Sequence, residues 1–211
     1  VPGFGRGFGT GGALWPAASV LCEYLSKQEL SGLAVVELGS GTGAVGIYAA
    51  ALGAGSVVLS DMSSSLRNCA ADNVQANRVH FAQTPISCRT FSWGTRPITP
   101  LLMSDKGPDL VIGSDVTYSS RAYSSLCATL SDLFVTHSAP DSLDRPHDSQ
   151  ARAVLAHQHR PLTAMLSQVD ALACLTEAAD KNGLTVTVVQ EVWRNPLSKI
   201  ALIEVTRCTN N

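Results

Sequence analysis

The residues of this chain that are best suited to chemistry form a glycine-rich turn with an acid just before it. The turn reads Gly39-Ser40-Gly41-Thr42-Gly43, and Glu37 stands at the end of the apolar run that leads into it. Glycine adopts positive φ without strain and lets a ligand approach bare backbone. A helix that starts after such a turn presents unpaired N–H groups, which favour a carboxylate or a phosphate. This pattern is typical of the first unit of a nucleotide-type binding fold.

Length and composition predict one globular domain over residues 1–211, with a flexible segment at 1–13 and an exposed loop at 138–149. The net charge of -2 gives no basic field for non-specific nucleic-acid binding. The six cysteines include no Cys-x-x-Cys pair, which predicts reduced thiols in a cytoplasmic or nuclear protein, not disulfides or a zinc site. No apolar run reaches the roughly 18 residues of a membrane span, and no secretory leader is recognisable.

Apolar periodicity and turn residues predict a Rossmann-like, doubly wound α/β sheet of seven strands. Helices are expected at 14–27, 44–52, 64–76, 120–136 and 163–182, and strands at 34–38, 56–60, 85–91, 109–114, 152–156, 184–192 and 199–206. Alternating strands and helices imply a mostly parallel sheet with helices on both faces. The gap at 193–198 is too short for a crossover helix, so the last two strands must pair antiparallel. A ligand is expected at the carboxyl ends of the first four strands.

A nicotinamide dinucleotide is a rival ligand for the turn. Residues 41–46 satisfy G-x-G-x-x-G, and Asp61 follows about 20 residues later, as in a dinucleotide site. Against this, the glycine block already begins at Gly39, and Glu37 has no usual role in such a site. A reversed last strand is also not the usual end of a dinucleotide domain. A Walker-type phosphate loop is excluded, because no Gly-Lys-Ser/Thr follows the turn.

Residues 37–43, Glu-Leu-Gly-Ser-Gly-Thr-Gly, resemble the first motif of class I, seven-β-strand S-adenosylmethionine-dependent methyltransferases, a fold whose last strand is reversed. Further segments resemble the methyltransferase-like 21 branch, whose members methylate lysines in chaperones, AAA ATPases and translation elongation factors. The resemblance covers roughly residues 10–206 and is carried by Leu14-Trp15-Pro16-Ala17-Ala18, Ser60-Asp61, Asn73-Val74-Gln75-Ala76-Asn77, Ser92-Trp93-Gly94 and Asp109-Leu110-Val111-Ile112-Gly113-Ser114-Asp115-Val116-Thr117-Tyr118.

The resemblance implies S-adenosylmethionine as the cofactor. This cofactor has no phosphate, which agrees with the absence of Lys and Arg from the turn. Asp61 could accept hydrogen bonds from both ribose hydroxyls. Aromatic faces and carboxylates would favour the cationic sulfonium. The residues that the resemblance assigns to cofactor binding are Trp15, Glu37, Gly39, Ser40, Gly41, Gly43, Asp61, Trp93 and Ser114.

Asp115 and Tyr118 follow the fourth strand, where the resemblance places the methyl group, and they are the candidate catalytic residues. A lysine must lose a proton before it attacks, from a free pKa of about 10.4. Asp115 could orient the amine or help remove that proton, and Tyr118 could wall the lysine channel.

Each candidate also has a purely structural interpretation. Glu37 could cap backbone N–H groups of the turn, Asp61 could cap the next helix, and Asp115 could cap the helix that follows it. Packing alone could explain Trp15, Trp93 and Tyr118.

Two further pairs of polar residues have an open role. Asn73 and Asn77 are more typical of a solvated or end-capping pair than of ligands. Strand alternation puts His157 and His159 on one face, which makes a metal pair conceivable, but no third ligand is in register. We prefer the interpretation that both histidines, with Arg160, line the substrate side of the cleft.

These observations predict a protein-lysine methyltransferase that is monomeric, binds a protein substrate and holds no metal. Two alternatives stay open. One is a class I methyltransferase of a small molecule or a nucleic acid, although Ser114-Asp115-Val116-Thr117-Tyr118 lacks the Asn/Asp-Pro-Pro-Tyr/Phe signature that holds exocyclic amines of bases. The other is a catalytically inactive module that binds the cofactor, against which the intact Asp115 and Tyr118 argue.

Overall fold

The computed structural model describes residues 9–81, 83–98, 102, 107–137, 150–159, 171–195 and 198–208, which include one seven-stranded sheet. The helices are α1 Pro16–Leu25, α2 Ala44–Ala51, α3 Ser64–Ala76, α4 Tyr123–His137 and α5 Ala171–Asp180. The strands are β1 Ala34–Leu38, β2 Ser56–Asp61, β3 Ile86–Thr90, β4 Leu110–Ser114, β5 Arg152–His159, β6 Leu184–Asn195 and β7 Ser198–Arg207. Three predicted parts lie wholly or partly outside the described residues: 1–8 of the flexible segment predicted at 1–13, the loop 138–149, and 163–170 of the helix predicted at 163–182. Within the first of these, Gly9–Gly12 forms a short 3-10 helix.

The strands are ordered β3-β2-β1-β4-β5-β7-β6, and the sheet is parallel except for β7. β7 pairs antiparallel with β5 on one side and with β6 on the other. The predicted doubly wound sheet with an antiparallel terminal hairpin is therefore confirmed. Because the chain winds outward in opposite directions from β1 and β4, a crevice forms at the carboxyl ends of these neighbouring strands.

The central strands are apolar on both faces because helices cover the sheet on both sides. Val35 belongs to the core layer under α1, α2 and α3, whereas the adjacent Val36 belongs to the layer under α4 and α5. Leu110 and Val111 divide between the two layers in the same way. The continuous apolar run at 109–114 correctly predicted a strand that is buried on both faces.

Strand β5 is longer than predicted, and this changes the surroundings of the two histidines. It continues past the predicted bound at residue 156 to His159, as the alternation of the two histidines assumed, and its outer part pairs with β7 through His157↔Ala201 and His159↔Lys199. The histidines therefore lie within the sheet. The pairing partner is remote in the sequence, so local periodicity could not place this end.

The six cysteines are free thiols. Burial raises the pKa of Cys127 to about 11, and burial together with the nearby carboxyl of Glu37 raises the pKa of Cys22 to about 11. These two thiols therefore stay protonated near neutral pH. None of the helices in the described part of the chain is long and apolar enough to cross a membrane.

Gly46 shows how closely α2 packs on the sheet. A Cβ at this position would overlap Leu59 Cδ2 and would lie 2.8 Å from Glu37 Oε2 and 3.2 Å from Val57 Cγ1. We expect Gly46→Ala to destabilise the fold, although alanine is favoured over glycine inside a helix by about 1 kcal/mol, because crowding a packed core costs about 1–3 kcal/mol. Urea unfolding measures the balance. Exposed Gln75 in α3 provides the control, since Gln75→Ala should leave the midpoint nearly unchanged. A stabilised Gly46→Ala protein would contradict this packing.

Candidate active site

A cavity of about 870 Å³ opens at the carboxyl ends of β1, β2 and β4. All the predicted site residues except Gly43 line it: Trp15, Glu37, Gly39, Ser40, Gly41, Asp61, Trp93, Ser114, Asp115 and Tyr118. Gly43 lies behind the turn as the N-cap of α2, where a Cβ would meet Leu59 at 2.7 Å and Ala70 at 3.3 Å. The topology thus brings the predicted residues together from segments that are far apart in the sequence.

The glycine turn exposes its backbone to this cavity and cannot carry side chains. Gly39 and Gly41 have φ values of 64° and 52°, a region that L side chains rarely adopt. A Cβ on Gly39 would lie 2.8 Å from Val116 Cγ1, and one on Gly41 would lie 2.5 Å from the carbonyl oxygen of Gly11. The segment before α1 therefore lies directly across the turn.

Side chains from neighbouring elements hold the turn in place from behind. The backbone N–H of Gly41 donates to Asp61 Oδ2 at 3.0 Å, across the tips of β1 and β2. Asn73 Nδ2 in α3 donates to the carbonyl of Thr42 at 2.9 Å. Asn77 is the C-cap residue of the same helix and donates to the carbonyl of Asn73. The end-capping interpretation therefore fits Asn77, whereas Asn73 braces the turn.

Asp61 does not cap the next helix, because the N-cap of α3 is Ser63. Its carboxylate is buried at the edge of the cavity, where Oδ2 accepts from Gly41 and Oδ1 accepts from the N–H of Ser63 at 3.2 Å. A carboxylate offers about four acceptor positions in all, so both oxygens keep capacity for a ligand.

Glu37 forms the floor of the cavity and caps α2. It is 1% exposed, and its Oε2 accepts a hydrogen bond of 2.9 Å from the N–H of Gly46. Its pKa is raised to about 8, chiefly by burial and also by the nearby charge of Asp61, while the hydrogen bond from the Gly46 N–H acts in the opposite direction. The structural interpretation of Glu37 as a cap of backbone N–H groups thus holds, although the group capped belongs to the helix.

The raised pKa of Glu37 makes stability depend on pH. Between the usual pKa of 4.5 and the folded-state value of about 8, the folded chain holds this proton more firmly than the unfolded chain. The contribution of Glu37 to the free energy of unfolding therefore falls as pH rises through this window, by at most about 1.4 kcal/mol per pH unit. We expect Glu37→Gln to lose less stability than the wild type from about pH 5 to pH 8, measured by urea unfolding. Glu29→Gln, at an exposed position, should follow the wild type. Parallel curves for Glu37→Gln and the wild type would contradict the assignment.

Two tryptophans border the cavity from opposite sides. Trp15 is the N-cap residue of α1 and is 36% exposed, so it is not simply a core anchor. Trp93 packs against the core under α4, and its Cζ2 lies 3.4 Å from where a Gly39 Cβ would be. The next residue, Gly94, donates its N–H to Thr129 Oγ1 of α4 at 2.9 Å, which fixes the tryptophan beside the turn.

The backbone of Asp115 is in the left-handed conformation. Asp115 is the one non-glycine residue among those described with a positive φ, at 56°. A left-handed conformation costs an L residue roughly 1–2 kcal/mol. The side chain is only 6% exposed yet lines the cavity, whereas Tyr118 is 67% exposed at its mouth. Tyr118 is therefore not a core residue.

The histidines do not line the cavity, so the structure does not support their predicted place on the substrate side of the cleft. His157 is buried and shares a hydrogen bond of 2.7 Å with Thr117 through Nδ1 and Oγ1. The ring of His159 packs edge-on against it at a centroid distance of 4.8 Å. Among the residues that the structure describes, no three metal-binding side chains come together. Arg160 lies outside the described residues.

Sequence reasoning missed several apolar lining residues. They come from the segment before α1, the residue after Asp61, the first turn of α3, and the residues just after β3 and just before α4: Gly11, Ala13, Leu14, Met62, Leu66, Phe91 and Ala122. The glycines at 9–12 were a usable signal, since Gly11 makes a close approach to Leu66. Met62, with 74% exposure, carried no signal because a single apolar surface residue is ordinary.

Solved structures with a similar arrangement define the class of this fold. Magnesium protoporphyrin IX methyltransferase (ChlM) from Synechocystis PCC 6803 with bound SAM superposes with a TM-score of 0.59 at 21% identity, over 90% of this chain and 77% of that one. The [4+2]-cyclase SpnF superposes with a TM-score of 0.60 at 12% identity, over 95% of this chain and 85% of that one. This likeness establishes the class I methyltransferase fold and no specific reaction.

Sequence comparisons identify the family. A family model described as "Lysine methyltransferase" matches residues 5–141, more than half of the chain, so the chain belongs to the lysine methyltransferase family. Protein N-lysine methyltransferase METTL21A of Danio rerio is 37% identical over 127 residues, which are 59% of this chain and 56% of that protein. EEF1A lysine methyltransferase 3 of Xenopus tropicalis is 38% identical over 135 residues, 62% of this chain and 55% of that protein. The chain thus spans about half the length of these curated relatives.

Proposed function

We propose that the protein transfers a methyl group from S-adenosylmethionine to a lysine side chain of a protein. The observation that carries the proposal is the acidic lining of the cavity. Glu37, Asp61 and Asp115 bring three carboxyl groups to its wall, and no lysine, arginine or histidine occurs among its described lining residues. Such a wall favours a sulfonium and an ammonium, and it disfavours a pyrophosphate. The family and its named relatives support the same reaction.

The residues present fit this cofactor. Gly39 and Gly41 leave no room for a Cβ, so the backbone there is bare. The methionine part of the cofactor can lie against it. Asp61 has acceptor capacity for the ribose hydroxyls. Trp15 and Trp93 provide aromatic faces beside the turn. When bound, S-adenosylmethionine supplies the activated methyl group.

The acceptor side is formed by the residues after β4. Asp115 is buried at the wall, where its carboxylate can hold a lysine ammonium in place and receive its proton. Tyr118, at the mouth, covers the aliphatic part of the incoming side chain. Since such a transfer needs little covalent participation by the protein, positioning is the main contribution of these two residues.

The proposal has two levels: that the substrate is a protein, and which kind of protein it is. The relatives' names include EEF1A lysine methyltransferase 3 and, at 29% identity, a calmodulin-lysine N-methyltransferase of Arabidopsis thaliana. These names point to different acceptors within one chemistry. From the resemblance to the methyltransferase-like 21 branch, we propose that the substrate is a translation factor, a chaperone or an AAA ATPase. We propose that the enzyme binds it as a monomer.

The cofactor proposal predicts the effect of a methyl group on the turn. Gly41→Ala places a Cβ 2.5 Å from the Gly11 carbonyl oxygen, so the covering segment must move away. We expect the Kd for S-adenosylhomocysteine to rise about tenfold or more in calorimetry. Gly32→Ala is the matched control, because Gly32 also has a positive φ of 77° but a Cβ there meets nothing within 4 Å. Equal effects at both positions, or a larger thermal shift with NAD than with S-adenosylhomocysteine, would contradict the proposal.

The acceptor proposal predicts the effect of neutralising Asp115. Asparagine tolerates the left-handed backbone, so Asp115→Asn keeps the loop while removing the charge. We expect transfer of labelled methyl to protein to fall about a hundredfold with little change in S-adenosylhomocysteine affinity. Asp109→Asn, at the other end of the same strand where the carboxylate accepts from Ala34, should retain activity.

The destination of the label separates the alternatives. The measurement is gel fluorography after incubation with a cell extract and radiolabelled cofactor. A labelled protein band that Asp115→Asn loses supports lysine methylation, and amino-acid analysis identifies the methylated residue. Label in nucleic acid or in small molecules would overturn the protein acceptor. Cofactor binding without any label would favour the inactive module.

A further inference from the structure

The loop after β4 is held by side chains and backbone that take no part in the cavity wall. The N–H of Asp115 donates to the carbonyl of Ala156 in β5 at 2.7 Å. Thr117 Oγ1 shares its 2.7 Å hydrogen bond with His157 Nδ1, in the same strand. From the other side, Tyr123 Oη at the start of α4 donates to the carbonyl of Thr117 at 2.8 Å. The loop is therefore fastened to two elements.

Thr117 is the centre of this fastening. It is 1% exposed and lies between Asp115 and Tyr118, yet it is not among the residues that line the cavity. Its hydroxyl and its carbonyl are each used in a hydrogen bond to a buried ring. His157 and Tyr123 are 5% and 3% exposed, so these contacts form away from bulk water.

The backbone of Asp115 shows why such a fastening is needed. A positive φ at a non-glycine residue persists only where the surroundings hold it. Ser114 is the last residue of β4 and pairs with Ala156, and Val116 packs in the core under α4, so the chain leaves the strand at Asp115. Without the contacts of Thr117, the loop can relax and carry the Asp115 carboxylate and the Tyr118 ring away from their places.

We propose that His157 and Thr117 are positioning residues, whose shared hydrogen bond holds the loop of Asp115 and Tyr118 in the conformation that methyl transfer requires. Neither residue touches the cavity, so their effect passes through the loop. The inference rests on the proposed function for its catalytic part. Its structural part, the restraint of the loop, can be measured without any substrate.

The test uses Thr117→Val and His157→Leu, which remove the two partners with little change in volume. We expect kcat to fall about tenfold or more in each, while the Kd for S-adenosylhomocysteine changes less than about twofold. The double variant should be no slower than the slower single variant, because one interaction is lost in all three. Thr117→Ser keeps the hydroxyl and should restore activity to within about threefold of the wild type.

A matched control separates positioning from general loss of stability. Thr84 is also a buried threonine, and its hydroxyl donates to the carbonyl of Ala54 at 2.8 Å. Both residues precede strands, so this bond lies at the amino ends of β2 and β3, at the edge of the sheet opposite the cavity. Thr84→Val should cost stability without lowering kcat. Unchanged kcat in folded Thr117→Val or His157→Leu protein would overturn the proposal, as would additive effects in the double variant or an equal loss in Thr84→Val.

Amide hydrogen exchange followed by NMR gives the readout that needs no activity. The Asp115 amide, bonded to Ala156, should exchange about tenfold faster or more in Thr117→Val and His157→Leu and stay unchanged in Thr84→Val. Unchanged exchange in the first two would overturn the restraint of the loop. If the wild type transfers no methyl group to any acceptor, the proposed function fails, and the exchange result then decides alone whether the hydrogen bond holds the loop.

Discussion

The hydrogen bond between the Gly41 N–H and Asp61 joins the tips of two neighbouring parallel strands, and the architecture of the site depends on it. Parallel strands end at one edge of a sheet, so the turn after β1 and the acid after β2 meet without any long connection. The bond fixes a turn that cannot be fixed by its own side chains, because Gly39 and Gly41 have none. It also leaves Asp61 at the cavity with its orientation already set.

A second constraint concerns charge at the bottom of the same cavity. Glu37 lies under the turn with its carboxyl fully buried, and burial raises its pKa to about 8. The Glu37 carboxyl is therefore mostly protonated at pH 7, and a cation bound beside it would lower its pKa. The cost of burying Glu37 is offset in part by its bond to Gly46, which anchors the helix whose N-terminus completes the turn.

Much of this arrangement was predictable because the signals were local. Residues 34–38 and 64–76 were predicted with the bounds that the structure has, since turn residues and apolar periodicity mark their ends. Alternation of elements then implied the parallel sheet, and hence the meeting of Gly39, Asp61 and Asp115. What local signals could not supply was pairing at long range: the outer half of β5 exists because β7 lies beside it. The buried place of His157 follows from that pairing.

The fold alone does not determine the reaction, and the loop after β4 carries the two residues proposed to face the acceptor, Asp115 and Tyr118. One solved structure with this fold is a methyltransferase and another is a cyclase, so the fold alone does not select the reaction. The glycine turn offers bare backbone and carries no lysine or arginine, which suits a cofactor without phosphate. The proposed acceptor side lies where Asp115 and Tyr118 face the cavity, and there the backbone of Asp115 is strained. A strained loop needs contacts that outweigh its relaxation, and these come from His157 of β5 and Tyr123 of α4, two residues that have no part in the wall of the cavity. The Asp115 loop is therefore held by the second half of the sheet and by α4, although most residues of the cavity wall belong to the first half.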